Sequence, residues 1–189
     1  TKSVTAKKAD GSALSLTTEQ RAAIEAAFEL TPAVGNDNNG TIDWTYDIDA
    51  SDLKFLAKGE VVTAVFTITV NDGKGGTDTQ DVTVTLTGSN DAPKIIVVDV
   101  TGEITDGTDL TDSGSITFTD VDLTDRPTAS KETKSVTAKK ADGSALSLTT
   151  AQQAAIEEAF KLNAADSNVN GGTVNWVYDI KASDLEFLA

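Results

Sequence analysis

Long stretches of the chain alternate apolar and polar residues with period two. Val62, Ala64, Phe66, Ile68 and Val70 interleave with Thr63, Val65, Thr67 and Thr69. Val82, Val84 and Leu86 interleave with Thr83, Thr85 and Thr87. Ile42, Trp44, Tyr46 and Ile48 interleave with Asp43, Thr45 and Asp47. Successive side chains of a strand point to opposite faces, so each stretch predicts a strand with one apolar face. Threonine suits the outer face, being β-branched yet polar. Ile116 and Phe118 predict a further strand, and the uncharged run Ile95–Val98 predicts a buried one. Trp44, Tyr46, Trp176 and Tyr178 share the spacing of their apolar neighbours. They are expected in the core rather than on a sugar-stacking platform.

Helical signals interrupt the strands. Thr17 with Gln20, and Thr149 with Gln152, have the spacing of a capping box. Ile24, Ala27 and Phe28 then follow helical periodicity. Residues 51–56 and 183–188 each read as a short helical turn entered through a Ser-Asp pair. Asp10-Gly11, Asn39-Gly40, Asn71-Asp72-Gly73, Gly75-Gly76 and Asp106-Gly107 punctuate the chain as turns. The pattern predicts a mainly β protein, a sandwich of about seven strands per unit with one short α-helical insertion.

The chain also repeats itself. Residues 1–57 align without a gap on residues 133–189, an offset of 132, with about three-quarters of the positions identical. The seventeen residues from Lys2 to Thr18 recur unchanged from Lys134 to Thr150. The differences fall where charge is solvated: Glu29 becomes Lys161, Asp49 becomes Lys181 and Lys54 becomes Glu186. A period of 132 residues is a domain rather than a solenoid repeat.

Composition narrows the chemistry. Thirty acidic and fifteen basic residues give a net charge of −15, which disfavours a phosphate backbone as partner. Without Cys there is no disulfide, thiolate nucleophile or thiolate-bound metal; without His the commonest general base is missing. No constellation supports catalysis, so a non-enzymatic role is expected. No apolar run is long enough to cross a bilayer as a helix. Nor is there a signal peptide at Thr1, so the sequence reads as a fragment of something longer.

What remains for a ligand is oxygen, which suits calcium or magnesium. Acidic residues gather in three loops: 71–78 with Asp72 and Asp78, 89–93 with Asn90 and Asp91, and 120–125 with Asp120, Asp122 and Asp125. Calcium takes six to eight oxygens, which one loop rarely supplies alone. Strand parity brings the 120–125 loop opposite Asn90 and Asp91, across a junction near residues 90–93. Asn-Asp-Gly is also an ordinary hairpin turn, and that reading stands beside the metal reading for Asp72 and Asp78. The 120–125 loop departs from the EF-hand pattern, with Asp125 at its glycine position and Lys131 at its bidentate Glu position.

Residues 53–93, ending NDGKGGTDTQDVTVTLTGSNDAP, resemble the closing segment of the VCBS repeat family. Residues 102–130, GEITDGTDLTDSGSITFTDVDLTDRPTAS, resemble its opening segment. The resemblance implies Ig-like or cadherin-like β-sandwich repeats of large RTX adhesins, which type I systems export to the bacterial surface. It implies calcium as the stiffening ion, with Asp120-Val121-Asp122 and Asn90-Asp91 similar to calcium-binding elements of cadherin-like domains. The family frame puts residues 1–90 in one repeat and 91–189 in the next. The alternative frame is one split sandwich straddling residues 90–93, with 1–57 and 133–189 as duplicates. A structural extender of an extracellular adhesin in adhesion or biofilm is expected, its partners the neighbouring repeats. No nucleic acid, membrane insertion or specific small-molecule ligand is expected. The rival reading is a carbohydrate- or protein-binding module of the same surface protein.

Overall fold

A computed structural model of the chain describes residues 2–31, 38–163 and 169–188. The chain forms two compact units. Unit 1 comprises Thr1–Ala92 with Val121–Asp125, and unit 2 comprises Pro93–Asp120 with Arg126–Ala189.

In unit 1, β1 (Lys2–Lys7), β4 (Val61–Asn71) and β5 (Thr77–Thr87) make an antiparallel sheet in the order β1-β4-β5. β4 is the central strand, and its alternation decides its orientation. Val62, Ala64 and Phe66 are buried, while the residues between them are partly exposed. Facing this sheet is a pair of short strands, β2 (Phe28–Thr31) and β3 (Asp43–Tyr46). Phe28 stacks on Phe66 with ring centroids 4.2 Å apart, which ties the two layers together. Helix α1 (Thr18–Ala26) carries the capping box: Thr17 Oγ1 accepts from the Gln20 amide, and Gln20 Oε1 accepts from the Thr17 amide. The helix buries Ile24 beside Val4, Ala6, Phe55 and Leu56, and a short 3-10 turn, Ala50–Leu53, leads into the last two.

In unit 2, β6 (Lys94–Val98), β7 (Thr111–Thr119), β10 (Phe160–Asn163) and β11 (Gly171–Asp179) form an antiparallel sheet ordered β10-β11-β7-β6. A ribbon of β8 (Ala138–Lys139) and β9 (Ala145–Leu146) accompanies it. Helix α2 (Thr150–Ala159) repeats the capping box with Thr149 and Gln152. A second 3-10 turn spans Ala182–Asp184. The chain is mainly β, with one α-helix in each unit among the described residues, as the alternation and the capping residues predict.

Two expectations are corrected. Ile95–Val98 is a strand, but an edge strand whose four apolar side chains are each more than half exposed. Its apolar run does signal a strand; what it lacks among the described residues is a covering layer. Trp44 and Trp176, expected alike in the core, differ: Trp44 is 45% exposed and Trp176 is 4% exposed. β11 pairs with β7, whose Gly114 lies flat against the Trp176 indole. A Cβ on Gly114 would stand 2.6 Å from that ring, so glycine is what lets it approach. The indole N–H donates to the Asp99 carbonyl at 2.6 Å. β3, the equivalent of β11, pairs only with β2 among the described residues, and Trp44 stacks on Phe28 with one face open.

Candidate metal site in the acidic loop

The loop 120–125 follows β7. Its first residue, Asp120, is buried in unit 2, where its amide donates to the Asn170 carbonyl and its own carbonyl accepts from Asn170 Nδ2. The residues after it belong to unit 1. There the Leu123 amide donates to the Phe55 carbonyl, and Asp122 is fully buried. Asp122 Oδ2 accepts the Asp91 amide at 2.9 Å, so the segment 90–91 runs directly against the loop. Asn90 Nδ2 donates to the Asp91 carbonyl, and the Asp91 carboxylate lies 3.7 Å from Lys54 Nζ.

Asp120, Asp122 and Asp125 each offer a carboxylate oxygen, and these oxygens lie within 4.8 Å of one another. That spacing matches the geometry of a hard cation. Ligands about 2.4 Å from a calcium ion stand at most about 4.8 Å apart, on opposite sides of it. Burial of carboxylates is costly unless they are paired, hydrogen-bonded or bound to a metal. Two of the three are buried and the third is half-buried. The donor set is oxygen only, as calcium prefers.

Asp72 and Asp78 lie elsewhere. β4 and β5 pair from Val61 with Thr87 to Asn71 with Thr77, and residues 88–91 leave from the first end. Ten steps along β4 at about 3.3 Å put the turn about 33 Å from that end. The Asp72 carboxylate is engaged in the turn itself: Oδ1 accepts the Lys74 amide at 2.7 Å and the Gly76 amide at 2.9 Å. Those two bonds, the Lys74 bond first, hold its pKa below the usual aspartate value. Asp78 Oδ1 accepts the Thr79 amide. Gly73 and Gly75 take positive φ angles of 72° and 105°, which the tight reversal requires.

A further acid stands beside the loop. Glu60 is almost fully buried; Oε1 accepts from the Thr124 hydroxyl at 2.7 Å and Oε2 from the Ala57 amide at 3.1 Å. It fastens the loop to the start of β4. The inward set Val62, Ala64 and Phe66, extended two residues backwards, reaches Glu60, so strand parity carried the signal that it points inward.

Residues 1–85, just under half of the chain, match the family model of a bacterial Ig domain. That match supports a bacterial Ig-like repeat over this stretch. Comparison with curated proteins and with solved structures finds no match. Among the described residues no helix is long and apolar enough to cross a membrane.

Proposed function

We propose that the chain is a structural extender of a bacterial surface adhesin, similar to the VCBS repeats of RTX proteins, and that calcium stiffens it. The buried carboxylate group of Asp120, Asp122 and Asp125 carries this reading. Asn90 and Asp91, which run against the loop, are placed to add oxygens. Asp72 and Asp78 are left out of the set, because the turn holds them about 33 Å away. The bacterial Ig-like match and the duplication at an offset of 132 residues support a tandem array whose partners are its own neighbouring repeats. The role is extracellular and non-enzymatic, in keeping with oxygen-only side-chain chemistry and the absence of His and Cys.

Thermal unfolding with calcium and with chelator tests the reading. A site saturated a hundredfold above its Kd adds about 2.7 kcal/mol, which raises the midpoint of a unit this size by about 10 °C or more. Asp122→Asn should abolish most of that rise. Equal midpoints in calcium and chelator would sink it.

The second reading, a carbohydrate-binding module, has one observation in its favour: the open face of Trp44 stacked beside Phe28. The same indole is closed off in the duplicate, so it stands second. Quenching or a shift of Trp44 emission by sugars would favour it.

A further inference from the structure

Four Asp-Gly pairs punctuate the chain: Asp10-Gly11, Asp72-Gly73, Asp106-Gly107 and Asp142-Gly143. The glycine of each has a positive φ, between 72° and 83°, so each pair sits in a tight turn. An Asp-Gly pair is also a reaction centre. The glycine nitrogen can attack the aspartate side-chain carbonyl carbon, with no Cβ on the glycine to obstruct it.

In three of the pairs the fold occupies both reacting groups. Asp10 Oδ1 accepts the Ser12 amide at 2.8 Å, and the Gly11 amide donates to the Lys8 carbonyl at 2.9 Å. The duplicate repeats this: Asp142 Oδ1 accepts the Ser144 amide at 2.8 Å, and the Gly143 amide donates to the Lys140 carbonyl at 2.9 Å. Asp72 Oδ1 accepts from Lys74 and Gly76, and the Gly73 amide donates to Asn71 Oδ1 at 2.7 Å. The hydroxyl and amide of Ser12 hold Asp10 below the usual aspartate pKa. Those of Ser144 hold Asp142 there, and the Lys74 and Gly76 amides hold Asp72. Less of each is then in the acid form, the form that can lose its hydroxyl as water.

Asp106-Gly107 is different. Its turn lies inside the chain, between β6 and β7, and closes through its neighbours. Thr105 and Asp109 exchange amide–carbonyl bonds at 3.0 Å, and the Thr108 amide donates to the Thr105 carbonyl at 3.2 Å. Asp106 and Gly107 are both exposed. Neither the Asp106 carboxylate nor the Gly107 amide has a hydrogen-bond partner among the described residues. The turn brings Glu103 back to the start of β7, where its amide donates to Asp112 Oδ2 at 2.8 Å.

We propose that Asp106-Gly107 is a modification site, the Asp-Gly pair at which the folded chain forms isoaspartate. The Gly107 nitrogen bonds to the Asp106 side-chain carbonyl carbon and gives up its proton. The side-chain hydroxyl leaves with that proton as water, which closes a succinimide. Water then adds to the main-chain carbonyl of the ring, and its bond to nitrogen breaks. The chain now runs through the side chain and is one methylene longer, in the turn that sets Glu103 beside Asp112. The reaction needs solvent water and no enzyme. It is cumulative, so its extent records the age of the folded chain. No metal is required, so the site stands or falls separately from the calcium reading.

Warm incubation of the 189-residue chain at neutral pH, followed by peptide mapping with isoaspartyl methyltransferase labelling, tests this. Each hydrogen bond that must open slows the attack about fivefold. With two or more such bonds at the other pairs, isoaspartate at 106 should form about tenfold faster, or more, than at 10, 72 or 142. The same incubation in urea removes the turns, and the four rates should converge. Equal rates at the four pairs in the folded chain, no isoaspartate at 106, or a preference for 106 that persists in urea would each overturn the proposal.

Discussion

Trp44 and Trp176 occupy the same place in two copies of one sequence, so truncating each is a matched experiment. The side chains are 45% and 4% exposed. The difference is about two-fifths of a side chain that buries up to about 250 Å², or about 100 Å². At about 25 cal/mol per Å² this is about 2.5 kcal/mol. Trp176 also donates to the Asp99 carbonyl, a bond contributing about 1 kcal/mol net. Trp176→Ala should therefore cost unit 2 about 3.5 kcal/mol more than Trp44→Ala costs unit 1. Native-state amide exchange separates the units: β11 amides report the first variant and β3 amides the second. Acrylamide quenching of the Trp44→Phe and Trp176→Phe variants checks the exposures directly. Equal losses, or equal quenching, would refute the reasoning, because they would mean that β3 is covered in solution as β11 is.

Glu60→Ala removes the acceptor of both the Ala57 amide and the Thr124 hydroxyl, and should destabilise unit 1 by about 3 kcal/mol in urea unfolding. Gly88→Ala should cost about 2 kcal/mol or more, since its Cβ would meet the Ala57 carbonyl oxygen at 2.3 Å; an unchanged urea midpoint would contradict that approach. The lowered pKa of Asp72 means that its carboxylate supports the folded turn fully above the unfolded value near 3.8. That support fades as pH falls through the lower folded value. Gly76 amide protection should thus exceed that of Asp72→Asn from neutral pH down to about pH 4, and the two should converge in stronger acid.

Local patterning carried much of the fold. Alternation located β4 and β5, and the Thr17/Gln20 and Thr149/Gln152 spacings located both helix starts, because these signals depend only on near neighbours. Where a distant partner decides, the sequence was silent. Residues 2–7 and 134–139 are identical, yet one is a full strand and the other mostly is not. Only β4 distinguishes them, some sixty residues away in the chain. Trp44 and Trp176 differ for the same reason, the partner being β7. In the acidic loop, the carboxylates themselves were legible from charge density. The burial of Asp122 was not, since it depends on how 90–91 folds against the loop. Glu60 was readable by parity but masked by its charge, which ordinarily marks a solvated position.

The exposed edge strand β6 has a consequence for handling and for crowding at high concentration. Four consecutive β-branched aliphatic residues, Ile95-Ile96-Val97-Val98, combine high strand propensity with zero charge, the composition of a self-pairing segment. Its free edge could template another chain. The flanks act as gatekeepers: Pro93 lacks an amide to donate, and Lys94 and Asp99 place opposite charges at the two ends. Register slips between Ile95 and Val97, and that irregularity breaks the flat ribbon a fibril would need. Neutralising Lys94 and Asp99 together should turn a tolerated edge into a seed for aggregation.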